Sequence, residues 1–81
     1  MIAYDTTIPV DPTRIVKKSV RVAGHPTSVS LEAAFWPRLQ EQAARNGQSL
    51  NALITTIDQS RTGSLSSALR VFVLEQCGTG P

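Results

Sequence analysis

Nine consecutive residues, Asn46-Gly47-Gln48-Ser49-Leu50-Asn51-Ala52-Leu53-Ile54, constrain this chain more than any other stretch, because they hold a helix stop, a tight turn and a helix start in one run. A glycine just past the last helical residue takes the left-handed conformation without a side-chain clash. A serine two positions later can cap the exposed N–H groups of a new helix. Gly47 therefore ends one helix and Ser49 opens the next. Upstream, Thr27-Ser28-Val29-Ser30-Leu31 alternates polar with apolar, the period of a short strand with Val29 and Leu31 on its buried face. The expected order is strand, helix, turn, helix.

The first helix is expected from about Glu32 to Arg45, with Leu31, Phe35, Leu39 and Ala43 at intervals of four along one face and Trp36 widening it. Pro37 removes one helical hydrogen bond and crowds the carbonyl four residues back, a cost of roughly 3 kcal/mol or more inside a helix. Such a helix should begin irregularly and become regular after Pro37. The second helix carries the cleanest stripe, Leu50, Leu53, Ile54 and Ile57, at i, i+3, i+4 and i+7. After the break at Arg61-Thr62-Gly63-Ser64, the residues Leu65, Leu69, Phe72 and Val73 give a third amphipathic helix, capped by Ser64 or Ser66. The run Val71 to Leu74 would suit a strand equally, and the helix formers Ala68, Leu69 and Arg70 favour the helix. A second strand candidate, Lys18 to Val22, alternates in the same way before Gly24-His25-Pro26 interrupts it. Residues 1–16, with Pro9 and Pro12, read as a flexible arm, 17–77 as one folded domain, and 78–81 as a fraying tail.

With 81 residues the chain builds one small domain at most, and a core of that size is marginal alone. Cys77 is the only cysteine, which rules out a disulfide or a cysteine-based zinc site within one chain. Self-association is the expected remedy. Asp5 interrupts any apolar leader, and the longest aliphatic and aromatic run is far too short to cross a membrane, so a soluble, cytoplasmic protein is expected.

The formal net charge is only +2, but all of the excess lies in residues 1–25, where Arg14, Lys17, Lys18 and Arg21 face Asp5 and Asp11. A basic segment leading into a strand suits contact with phosphates, and it suits plain solvation as well. Catalytic chemistry finds little support. His25 sits between Gly24 and Pro26 with no second residue at metal-ligand or triad spacing, and Cys77 has no flanking histidine or redox motif. No metal, cofactor or enzymatic activity is expected.

The stretch TSVSLEAAFW before the first helix and NGQSLNALI at the turn together resemble the ribbon-helix-helix family of small bacterial and phage DNA-binding repressors, over about residues 27 to 59. A longer stretch, KKSVRVAGHPTSVSLEAAFW through SLSSALRVFVLE, is similar to a short bacterial subgroup of that family. The resemblance implies a mainly α fold with one short intermolecular β-ribbon, in a homodimer whose four helices share a core, with an added C-terminal helix in each chain. It selects Thr27 to Leu31 as the ribbon and leaves Lys18 to Val22 as a flanking strand or arm. The dimer core would comprise Val29, Leu31, Phe35, Leu39, Leu50, Leu53, Ile54 and Ile57.

In that family the outward residues of the ribbon read bases in the major groove, which here assigns the role to Pro26, Ser28 and Ser30. These are shorter than the polar or basic side chains that the better-known repressors place there. Phosphates would be held by the free N–H groups of Leu50 and Asn51 behind Ser49, at the positive end of a helix dipole, and by Lys17, Lys18, Arg21 and His25. The implied function is a sequence-specific DNA-binding transcriptional repressor with double-stranded DNA as partner. The alternatives are an antitoxin of the same fold and a dimeric protein–protein adaptor that does not bind DNA.

Overall fold

A computed structural model of the chain describes residues 11–78, so most of the expected arm, residues 1–10, and residues 79–81 of the expected tail lie outside the described residues. Two strands, β1 (Ile15–Val22) and β2 (His25–Glu32), are followed by three helices, α1 (Phe35–Arg45), α2 (Leu50–Ser60) and α3 (Leu65–Gly78). The strands form one antiparallel sheet in a register that runs from Val22 opposite His25 to Ile15 opposite Glu32.

Both stretches of alternating sequence are thus strands, and β2 finds a partner inside its own chain. The segment left as a flanking strand or arm is therefore a strand, paired with β2. The reason is the connection. Ala23 and Gly24 have φ of 51° and 84°, and a two-residue turn with both residues at positive φ matches the twist of paired strands and brings neighbours in sequence together. The interruption falls at Ala23–Gly24, so His25 and Pro26 belong to β2. β1 likewise begins at Ile15, inside the segment read as an arm, where Asp11 accepts hydrogen bonds from the Thr13 N–H (2.9 Å) and hydroxyl (2.7 Å).

Pairing continues past β2, where the Ala33 N–H donates to the Arg14 carbonyl (2.7 Å) and the Ala34 N–H to the Pro12 carbonyl (3.1 Å). That delays α1 to Phe35, three residues later than expected. Pro37 then falls in the first turn, where an N–H would have no helical acceptor in any case. Trp36, expected only to widen the face, is buried, while Phe35 is half-buried. The Trp36 indole N–H donates to the Val16 carbonyl at 3.1 Å, which fastens α1 beneath β1.

Gly47, with φ of 66°, turns the chain out of α1, and the Ser49 hydroxyl accepts from the Ala52 N–H (3.0 Å) at the start of α2. Ser64 caps α3 by accepting from the Ser67 N–H (3.1 Å). Ser66, the other cap candidate, instead donates to the Ser30 carbonyl at 3.3 Å. The helices cover one face of the sheet. Val20, Val22, Val29 and Leu31 meet Trp36, Leu39 and Ala43 of α1, Leu53, Ile54 and Ile57 of α2, and Leu69 and Val73 of α3. Leu31, Leu39, Ile54 and Leu69 are wholly enclosed, whereas Leu50, expected in the core, is half-buried. One charged contact joins sheet to α3: Arg70 Nε donates to Glu32 Oε1 at 2.8 Å and holds the Glu32 carboxyl below the ordinary glutamate range.

Leu39→Ala should cost about 2–5 kcal/mol in denaturant unfolding, because the enclosed site leaves a cavity. Ser49→Ala should cost about 1 kcal/mol through the lost cap. Glu32 has a lower pKa folded than unfolded, so its contribution is complete above the ordinary glutamate value and is lost as pH falls through the folded value. The stability difference between the native sequence and Arg70→Ala should therefore shrink on acidification; a difference constant from neutral to strongly acidic pH would rule the coupling out.

Candidate nucleic-acid interface

Alternation sorts the sheet into two faces. Val20, Val22, Val29 and Leu31 point to the helices, so the residues between them point outward. On the outward face Lys17 stands opposite Ser30, Ser19 opposite Ser28 and Arg21 opposite Pro26, with Ile15 opposite Glu32 at the far end. Lys17, Ser19, Arg21, Pro26 and Ser28 are exposed and Ser30 is half-exposed. The outward face is therefore polar and basic, and Pro26, Ser28 and Ser30 lie together on it as the sequence predicted.

Two of the basic residues separate. Lys17 is on the outward face, whereas Lys18 is on the helix side, with its ammonium 5.3 Å from the centre of the Trp36 ring. A cation over an indole at an exposed site is worth roughly 0.5–1 kcal/mol, so Lys18 has a local partner. His25 is exposed at the tip, opposite Val22 and next to the turn. Arg21 folds toward the same tip, donating from Nη1 to the Gly24 carbonyl at 3.0 Å.

The start of α2 is joined to the edge of the sheet. The Arg21 N–H donates to Asn51 Oδ1 (3.0 Å), the Ala23 N–H donates to Thr55 Oγ1 (3.1 Å), and the Thr55 hydroxyl donates to the Arg21 carbonyl (3.5 Å). These bonds bring Ser49, Leu50 and Asn51 beside the basic tip of the hairpin. The Ala52 and Leu53 N–H groups are taken by Ser49, through its hydroxyl and its carbonyl. Those of Leu50 and Asn51 precede the first helical acceptor and face outward at the positive end of the helix. Asn51 thus fixes β1 through its side chain, while its backbone N–H has no acceptor within the helix.

Sequence reasoning missed Ser19, and with it the joining of β1 and β2 in one face. Its signal was present in the alternation Lys17, Ser19, Arg21, but the partner strand was not. Among the described residues no cluster of three His, Cys, Asp or Glu side chains is placed to hold a metal ion, and no helix is long and apolar enough to cross a membrane.

A family model described as ribbon-helix-helix domain matches residues 15–77, which begins at the first residue of β1 and stops one residue before the end of α3. Among solved structures the fold is similar to an uncharacterized protein from Bordetella pertussis Tohama I, with a TM-score of 0.66 and 31% sequence identity over 86% of this chain and 65% of that one. The chain thus spans somewhat under two thirds of that protein. No curated protein matches this chain. Paired strands leading into two helices joined at a Gly-x-Ser turn, and the extent of the family match, make this chain a member of the ribbon-helix-helix family.

Proposed function

We propose that this chain is a sequence-specific DNA-binding transcriptional regulator, acting as a repressor in the cytoplasm, that sets its two-stranded sheet into the major groove. The observation that carries this reading is the outward sheet face, where Lys17, Ser19, Ser28, Ser30 and Arg21 project together. A two-stranded ribbon fits that groove, and hydroxyls there can donate to or accept from base edges. The Leu50 and Asn51 N–H groups beside the tip fit a backbone phosphate flanking the groove. Binding would use DNA alone, with no cofactor.

The family resemblance also supports a homodimer. A second reading, an antitoxin of the same fold or an adaptor that binds protein, is favoured by one feature: a groove between α1 and α3 lined by Phe35, Val71 and Leu74, where Val71 is 51% and Leu74 69% exposed. The regulator reading is preferred because the polar, basic face is the more fully built surface.

Lys17→Ala should weaken binding to every duplex alike and flatten the salt dependence by about one unit of slope for each lost phosphate contact, while Lys18→Ala should change the slope less. Equal slopes for Lys17→Ala and the native sequence, in salt titrations on random duplex, would remove Lys17 from the interface. Ser28→Ala and Ser30→Ala should each lower stability by no more than about 0.5 kcal/mol and discrimination for a selected site by about 1 kcal/mol. Loss of discrimination is measured by competition with random duplex at one salt concentration; an unchanged ratio in the double variant favours the adaptor. If a homodimer forms, the midpoint of thermal unfolding should rise with protein concentration, and a midpoint independent of concentration together with a monomeric mass would exclude it.

A further inference from the structure

The groove between α1 and α3 is an apolar surface on the helical side of the molecule, and the chain itself supplies a segment to cover it. We propose that residues 1–10 return across this groove and that Ile8 and Val10 fill it. This is independent of the DNA-binding reading.

The segment joins the fold at the groove. The Ala34 N–H donates to the Pro12 carbonyl at 3.1 Å, and Ala34 is itself part of the groove wall. Val10 precedes Pro12 by two residues and Ile8 by four, so at about 3.3 Å per extended residue they lie within ~7 and ~13 Å of that bond. Exposed apolar surface lies at the same end. Among the described residues the large apolar side chains left exposed are Ile15, Val71 and Leu74. Val71 and Leu74 line the groove with half-buried Phe35, and Ile15 stands opposite Glu32, whose carboxylate is bonded to Arg70 on the groove wall.

The sequence of the segment suits that surface. Ile2, Tyr4, Ile8 and Val10 fall at even positions with Asp5 and Thr7 between them, so an extended backbone sets its large apolar side chains along one edge. Pro9 biases Ile8 toward this extended form. Asp5 is the only charged side chain in residues 1–10, and the groove is flanked by Arg38 and Arg70. Arg38 is tied to Glu41 only by an exposed contact of 3.4 Å, a surface pair weak enough to exchange.

Size favours a tethered occupant over a separate partner. The groove holds about 370 Å³, and a cavity of about 150 Å³ takes one benzene-sized group, so two or three side chains fill it. Along the helices it spans about one turn of each, Ala34 to Arg38 and Arg70 to Leu74. A stable partner from solution, a second copy included, buries roughly 800 Å² on each side, whereas a short tethered segment acts at an effective concentration in the millimolar range. With residues 1–10 in place, the surface that speaks for an adaptor is closed.

The test uses the full chain with its Val71 and Leu74 methyl groups followed by NMR. Ile8→Asp together with Val10→Asp should move both sets of resonances, and Thr7→Asp, on the other edge of the segment, should leave them in place. Resonances unmoved by the Ile8→Asp, Val10→Asp variant would overturn the proposal. A second measurement traps the contact. In a Cys77→Ser background, Ile8→Cys with Leu74→Cys should close a disulfide within one chain, on mild oxidation in dilute solution, about tenfold faster than Ile8→Cys with Ser28→Cys on the outward sheet face. Equal rates would overturn the docking. Covalent pairs of chains in place of the internal bond would assign the groove to a second copy and overturn it as well.

Discussion

The antiparallel register that joins Ile15–Val22 to His25–Glu32 is the constraint on which the rest of this molecule depends. It fixes which residues face the helices, because a slip of one position would turn Val29 and Leu31 out to solvent and bring Ser28 and Ser30 in. The helices reinforce it from below, with the Trp36 indole on the Val16 carbonyl at one end and Asn51 and Thr55 on Arg21 and Ala23 at the other. Neutral hydrogen bonds of this sort contribute about 0.5–1.5 kcal/mol each, small beside the apolar burial they align. Their effect is on placement.

Placement then divides the work of the two faces. The apolar side carries the burial that holds the fold, and the outward side is left free to hold charge and hydroxyls. A net charge of +2 gives the molecule little long-range attraction, and at physiological salt the field of exposed charges fades within about 8 Å. What matters is local density. Lys17 and Arg21 share one strand face within a few residues of the α2 start, whereas Lys18, adjacent in sequence, lies on the other side over Trp36. Two neighbouring lysines that look equivalent in the sequence therefore have different surroundings.

Much of the helical frame was legible because its signals are local. Gly47 and Ser49 define their joint by backbone conformation and capping alone, and the Leu50, Leu53, Ile54, Ile57 stripe needs only the helical period. The pairing of β1 with β2 was less legible, because alternation names a strand's faces without naming its partner, and Ala-Gly is a weaker turn signal than Asn-Gly. The start of α1 was misplaced for a related reason: Ala33 and Ala34 have good helical propensity but are held by Arg14 and Pro12 across the hairpin. At the candidate interface, Ser28 and Ser30 could be placed outward from alternation. That Ser19 stands across from Ser28 depends on a register no local pattern encodes.

The edges of the sheet carry one more consequence. A small exposed sheet is a template for other strands, and open edges fuse into aggregates. Here neither edge offers an unbroken row of backbone groups. Asn51 and Thr55 occupy the end of β1, Pro26 withholds a donor on β2, and the Ser66 hydroxyl covers the Ser30 carbonyl. Extension of the sheet by a further strand is accordingly interrupted at both edges.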